Sequence, residues 1–417
     1  MAKSVALSAA IRAQFRPAAA QWLATCYVAL ASLGISVLLA RRMGPEAFGT
    51  YFYILGIVTL LAPFQNAGFS TLLLREKISA TPALAALAPA LPGLALGHLL
   101  AVSLAMMCGT VLLLPFPDAA RLSCGIFCFG AITLSQQVSA RLKSAGDFYG
   151  EARWQTRGRT FSALPIVAAT LLTIPSPNAV FLYWGGGLLM AFRLLPCGDG
   201  KLRPHYHLET SVYQASLGFL WIELATTIYH RIDIVILHHL LGDAPAIGHY
   251  AVAYRLFDGV GLLIAPIASI CFRELRLIWQ DTNALRQLSG KLLLAALGIG
   301  TLLAASGYFA APVAVRLFFG ASYAGASAEL AGWLFLGLAF IVPNAVLTQL
   351  AIATNRERCY AWAACFSALL NISLNFALIP AHGIVGAAWA TVMTEAGLGL
   401  ALYIGILRRK NFSGPPA

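Results

Sequence analysis

Charge is what this sequence has least of. Asp, Glu, Lys and Arg make up 11% of its 417 residues, and only 16 of these are acidic. Soluble domains carry about 25%, so this chain cannot clothe a globular surface in water. No Gly-x-x-x-x-Gly-Lys phosphate loop occurs, which excludes an ATP-hydrolysing pump within the chain. Cys-x-x-Cys and Cys/His metal spacings are also missing. The eight cysteines are scattered, and even Cys124 and Cys128, one helical turn apart, read as small packing residues. No metal site or cofactor is expected. The net charge of +12 is dispersed among short segments, which argues against a nucleic-acid interface.

What the chain has in abundance is apolar length: 59% hydrophobic residues and a mean hydropathy of +0.77. A membrane-spanning helix needs about 20 apolar residues. Twelve such runs can be placed, at 18–40, 50–72, 90–114, 120–140, 160–175, 178–196, 213–241, 248–272, 291–312, 328–350, 360–380 and 384–407. The first run continues to Arg41-Arg42 with no convincing cleavage site, so it reads as an uncleaved span rather than a signal peptide. With the N-terminus inside, 21 of the 28 Lys and Arg residues fall on the cytoplasmic side. Only Arg41, Arg42, Arg121 and Arg316 fall outside. This bias predicts that both termini are cytoplasmic.

The halves repeat. RRMGPEAFGTY…LLAP…LLLREK in the first hairpin matches HLLGDAPAIGHY…LIAP…CFRELR in the seventh and eighth spans. Gly49 and Gly248 are 199 residues apart, and Arg75-Glu76 and Arg273-Glu274 are 198 apart. Two six-span halves of like orientation predict parallel repeats about an axis along the membrane normal. The expected boundary divides the chain into 1–200 and 201–417.

Charges inside spans concentrate in the seventh and eighth. Glu223, His230, Arg231 and Asp233 lie on one, Arg255 and Asp258 on the other. A charge at the bilayer centre costs about 2.5–3.5 kcal/mol on insertion scales, so these residues should face a partner or a polar lumen. At a rise of about 1.5 Å per residue, Arg231 is level with Asp258 and Asp233 with Arg255, in the outer half of the bilayer. Cross-helix pairing in that register is the expectation. Glu223, Thr226, Thr227 and His230 share one arc of the seventh span, a candidate wet stripe. The first half shows almost no charge within its spans, because Arg141, Lys143, Arg153, Arg157 and Arg159 fall in the segment assigned as the loop after the fourth span.

Three stretches carry a family resemblance: RRMGPEAFGTYFYILGIVTLLAPFQNAGFSTLLLRE (41–76), RIDIVILHHLLGDAPAIGHYAVAYRL (231–256) and NISLNFALIPAHGIVGAAWATVMTE (371–395). RLFFGASYAGA (316–326) adds a weaker fourth. Together the chain resembles the polysaccharide-transporter (O-antigen flippase, Wzx-type) branch of the multidrug/oligosaccharidyl-lipid/polysaccharide (MOP) flippase superfamily. The resemblance implies an all-α, V-shaped bundle of two six-helix lobes in a bacterial inner membrane. It also implies alternating-access flipping of an undecaprenyl-diphosphate-linked oligosaccharide to the periplasmic leaflet. Membrane lipids would surround the protein, and a polysaccharide polymerase would be a partner. The alternatives are a cation-coupled, multidrug-efflux-like exporter of other amphipathic solutes, and a membrane polysaccharide polymerase or ligase. The last is disfavoured by uniformly short external loops.

Within that frame the arginines admit two readings. Arg231/Asp258 and Asp233/Arg255 lock the hairpin as structural pairs, or one or both arginines are released to grip a diphosphate, which a guanidinium matches bidentately. Arg231, nearer the midplane, is the first candidate. Arg75 either snorkels at the headgroup level or guides the diphosphate inward. Glu223 and Glu395 are candidate proton or cation sites, with interhelical hydrogen bonding as the alternative. Asn371 and Asn375 read as helix-joining amides. Gln65, Asn66, Gln136, Gln137, Asn344 and Gln349 either line a sugar path or make ordinary interhelical contacts.

Overall fold

A computed structural model of the chain describes residues 2–79, 89–194, 203–206 and 209–407. Lys201, Arg408, Arg409 and Lys410, which entered the orientation argument, lie outside the described residues. Nearly all of the described chain is helical, and the twelve apolar runs fall on helix apart from a few residues at their ends and breaks at Ala67-Gly68 and Gly337. The helices are α1 (Ala2–Asn66), α2 (Phe69–Ser79), α3 (Leu91–Leu113), α4 (Phe116–Ser144), α5 (Phe148–Leu172) and α6 (Pro177–Leu194). There follow α7 (Thr210–Leu241), α8 (Ala244–Leu277), α9 (Thr282–Phe319), a 3-10 turn (Ala321–Tyr323), α10 (Ala326–Leu336), α11 (Leu338–Ala353) and α12 (Glu357–Leu407).

Two of these are helix pairs joined at a glycine. Gly44, with φ of 74°, parts the first and second runs within α1, and Gly383, with φ of 56°, parts the last two within α12. Left-handed φ is open to glycine without a Cβ clash. Gly242, between α7 and α8, also sits at φ of 62°. It is 198 residues beyond Gly44, so the sequence repeat is a repeat of backbone conformation too. Three of the scarce aspartates start helices. Asp147, Asp243 and Asp281 accept backbone N–H bonds at the N-termini of α5, α8 and α9, satisfying donors that have no partner within the helix.

Among the described residues, six segments have the length and hydropathy to cross a bilayer: Ala19–Asn66, Leu91–Leu113, Phe116–Ser144, Thr282–Phe319, Ala326–Ala353 and Glu357–Ile406. Their surfaces agree. Leu112, Leu113 and Phe309 are 82%, 83% and 78% exposed, a state suited to lipid rather than water.

The chain divides into two compact units. One comprises residues 1–38 and 57–223, the other residues 39–56 and 224–417. In the first, α4 packs on α3 and α6, and α6 on α5. A core of Phe69, Leu72, Leu91, Leu94 and Val212 ties α2, α3 and the start of α7 together. In the second, α8 and α9 both pack on α10 and α11, and α11 on α12. Its core includes Leu275, Leu285, Leu350, Leu398 and Leu402. The 39–56 segment is seated in the second unit by bare backbone contact. A Cβ on Gly49 would lie 2.8 Å from the Gly248 nitrogen, and one on Gly248 would lie 2.0 Å from the Pro45 carbonyl oxygen. The glycines matched by the repeat thus meet each other.

Candidate functional site

In the second unit, α7 and α8 bring the expected charges together, with one correction. Arg231 donates from Nη2 to Asp258 Oδ2 at 3.0 Å, and its guanidinium lies 5.0 Å from the centre of the Tyr254 ring. The partner pair Asp233/Arg255 does not form. Asp233, 2% exposed, accepts instead from the Tyr250 hydroxyl and from the Ile234 N–H. The reason is azimuth. At about 100° per residue, Arg231 and Asp233 are some 200° apart around α7, while Arg255 and Asp258 are within about 60° on α8. Two ion pairs across one helix interface cannot meet that geometry, even with matched depths. Arg255 therefore makes no ion pair with any carboxylate among the described residues. It lies over Phe52 at 5.1 Å, a cation–π contact, and its buried Nε has no hydrogen-bond partner. The result is a half-sequestered cation that a membrane interior does not leave uncompensated without cost.

The carboxylates proposed for cation coupling are each held by an asparagine. In the first unit, Asn66 donates to Glu223 at 2.8 Å while its own carbonyl oxygen accepts from the Ser70 hydroxyl at 2.7 Å. In the second, Asn344 on α11 donates to both the backbone oxygen and the side chain of Glu395, at 2.8 and 2.9 Å. Asn371 donates to Thr394 at 3.2 Å and receives Asn375 at 2.8 Å, so this pair does join helices. Gln65 bridges to Ser103 and to the Ile126 carbonyl. Arg75 belongs to α2, and its side chain lies outside the described residues.

The first unit holds what the sequence reading missed. The segment taken as a loop, 141–159, is nearly all helix. α4 runs on to Ser144 and α5 begins at Phe148, leaving three residues between them. Glu151 is 1% exposed and Arg159 8%, which corrects the expectation of an almost uncharged first half. Glu151 is a four-way node. It accepts from Gln21 on α1 at 2.9 Å, from Ser139 on α4 at 2.7 Å and from Gln155 on its own helix, and it pairs with Lys143 at 3.3 Å. Beside it opens a cavity of about 700 Å³, bounded by α1, α2 and α4 to α7. Glu223, Lys143, Arg159, Gln136, Gln155, Trp154 and Trp184 reach its wall. Arg159 lies 5.2 Å from the Trp184 ring centre. A signal for this face was present in the sequence. Glu151, Trp154, Gln155, Gly158, Arg159 and Ser162 recur at spacings of three and four, a polar stripe at the helical period.

No protein-family model and no curated protein matches this chain. Solved structures do. The lipid II flippase MurJ, in an inward closed conformation, superposes with a TM-score of 0.73 at 15% identity, over 92% of this chain and 87% of that one. An inward-facing multidrug resistance MATE family transporter of the MOP superfamily gives 0.70 at 14% identity, over 91% and 93%. A MOP superfamily transporter from Pyrococcus furiosus gives 0.60 at 13%, over 94% of each chain. The fold is that of the MOP transporters. With its apolar helices and lipid-suited surface, the chain is a multi-pass membrane protein carrying charged and polar sites in both units of that fold.

Proposed function

We propose that this MOP-fold protein is a flippase of the polysaccharide-transporter, O-antigen (Wzx-type) branch. It moves undecaprenyl-diphosphate-linked oligosaccharide from the cytoplasmic to the periplasmic leaflet of a bacterial inner membrane by alternating access. It crosses the membrane twelve times with both termini in the cytoplasm, in two six-span repeats (1–200 and 201–417). It hands its product to a polysaccharide polymerase.

One observation carries the reading. Arg255 is held over Phe52 without a carboxylate partner among the described residues, while its neighbour Arg231 is half satisfied by Asp258. A guanidinium so placed is an anion site, and a diphosphate offers the paired oxygens it binds bidentately. Asp258, 30% exposed, is positioned to release Arg231 to the same ligand. In this scheme Arg255 precedes Arg231 as the primary contact, Asp233 holds Tyr250 in place, and Arg75 gathers the diphosphate at the headgroup level. Glu223 and Glu395 are the proton or cation sites that couple transport, each able to trade its asparagine donor for a cation.

The reading is tested in proteoliposomes containing a fluorescent undecaprenyl-diphosphate oligosaccharide. Arg255→Gln should remain inserted and abundant yet lose flipping. Wild-type flipping by that variant would remove the diphosphate role. The second reading, a cation-coupled exporter of amphipathic solutes, draws support from the similarity to the MATE transporter. It predicts ethidium efflux from the same vesicles and no protection of the lipid-linked cargo.

A further inference from the structure

We infer that the cavity of the first unit binds the saccharide part of the lipid-linked substrate. The inference rests on the flippase reading and assigns a second, chemically different subsite to it. The wall composition is the argument. Saccharide sites combine flat amphipathic rings, which cover the C–H faces of a sugar, with planar amides and hydroxyls that exchange hydrogen bonds with its alcohols. Here the half-buried indole of Trp184 stands with Gln136, Gln155, Ser135 and Ser32 around one space, with the buried Trp154 behind them.

Trp154 is fixed by an Nε1–H bond to the Ser135 carbonyl at 3.1 Å, so it forms a rigid wall. Gln136 faces the cavity from the apolar run of α4 and makes no hydrogen bond to the protein among the described residues. Its amide is exposed within the cavity, so its hydrogen-bonding capacity is open to a ligand. The Glu151 node behind the wall holds Gln155, so the second amide is preset rather than floppy. About 700 Å³ lies within the range of about 300–1,000 Å³ in which drug-sized ligands are held. From Ile132 to Lys143 the wall follows α4 for about 17 Å at 1.5 Å per residue, long enough for more than one sugar ring. A bare proton path to Glu223 would not need the Trp184 indole.

The test uses the full-length protein in lipid nanodiscs and two kinds of soluble probe. One is farnesyl diphosphate. The other is farnesyl diphosphate carrying glucose, galactose or N-acetylglucosamine. At least one sugar-bearing probe should bind wild type about tenfold more tightly than farnesyl diphosphate, equivalent to about 1.4 kcal/mol. Gln136→Leu and Trp184→Leu should each erase that increment while leaving farnesyl diphosphate binding unchanged. Arg255→Gln should weaken both kinds of probe alike. Persistence of the sugar increment in both cavity variants, or its absence in wild type with all three sugars, overturns the assignment. Unaltered farnesyl diphosphate binding by Arg255→Gln instead counts against the flippase reading, so the two failures are distinguishable. Gln136→Leu removes no internal bond among the described residues, so a folding defect in the Trp184 variant would not stall the experiment.

Discussion

Glu151→Ala should destabilise the first unit more than any other single charge deletion in it. The carboxylate is 1% exposed and receives Gln21, Ser139, Gln155 and Lys143. Hydrogen bonds to a charged group contribute about 1.5–3 kcal/mol each, but four donors sharing one carboxylate do not add. Lys143 is 37% exposed and recovers water when its partner leaves, so its share is that of a surface pair, about 0–1 kcal/mol. The stranded groups are then one hydroxyl and two amides brought from α1, α4 and α5. The expected loss is about 3–5 kcal/mol, from about 1–3 kcal/mol for each of three stranded neutral donors that do not fully add. Glu151→Gln keeps the shape and one acceptor and should lose about half as much. Lys143→Met should lose about 1 kcal/mol or less. Unfolding in mixed dodecylmaltoside–SDS micelles, followed by the reactivity of buried Cys128, reads all three on one scale. The order Ala, Gln, then Lys143→Met is the signature. A Glu151→Ala variant within about 1 kcal/mol of wild type would show that the node is not a structural tie.

Three further outcomes are expected. Neutralising Asp258 alone (Asp258→Asn) should destabilise more than the double variant with Arg231→Gln, because a lone buried guanidinium costs more than a missing pair; equal losses would mean the pair is not coupled. Gly248→Ala places a Cβ 2.0 Å from the Pro45 carbonyl oxygen and should cost about 1–3 kcal/mol in the same unfolding assay, whereas Ala at Gly290, with open space around it, should cost less. Reporter fusions after Lys143, Lys201 and Arg276 should all report the cytoplasm, and a periplasmic signal at any one would break the twelve-span map.

Much of this fold can be read from the sequence because a bilayer leaves few options. An apolar run of bilayer length has to satisfy its backbone internally, and helix is the solution available to an isolated run. The repeat is legible for a related reason. Gly44 and Gly242 need left-handed φ, and Gly49 and Gly248 need the absence of a Cβ, so both constraints are visible as glycine at a fixed spacing. Depth along a helix is legible too, since the rise is constant, and it placed Arg231 opposite Asp258. Azimuth is present in the same letters. Counting around α7 separates Arg231 from Asp233 by more than half a turn, which is enough to rule out the second ion pair that depth alone permits.

The polar cavity was hidden by a different physical fact. Basic residues mark loops because lysine and arginine resist burial, so a segment with Arg141, Lys143, Arg153, Arg157 and Arg159 reads as cytoplasmic loop. α5 has two populations of charge on opposite faces. Arg153 and Arg157 are exposed, while Glu151 and Arg159 turn inward with Trp154 and Ser162. Averaged over a window, the two faces give the low hydropathy of a loop; resolved at 3.6 residues per turn, they give a helix with a wet interior. Buried charge survives there because Glu151 supplies the counter-ion for Lys143 and the acceptor for three neutral donors. In a membrane protein with a polar interior, a charged stretch between apolar runs is a helix candidate wherever its charges sort onto two faces at 3.6 residues per turn.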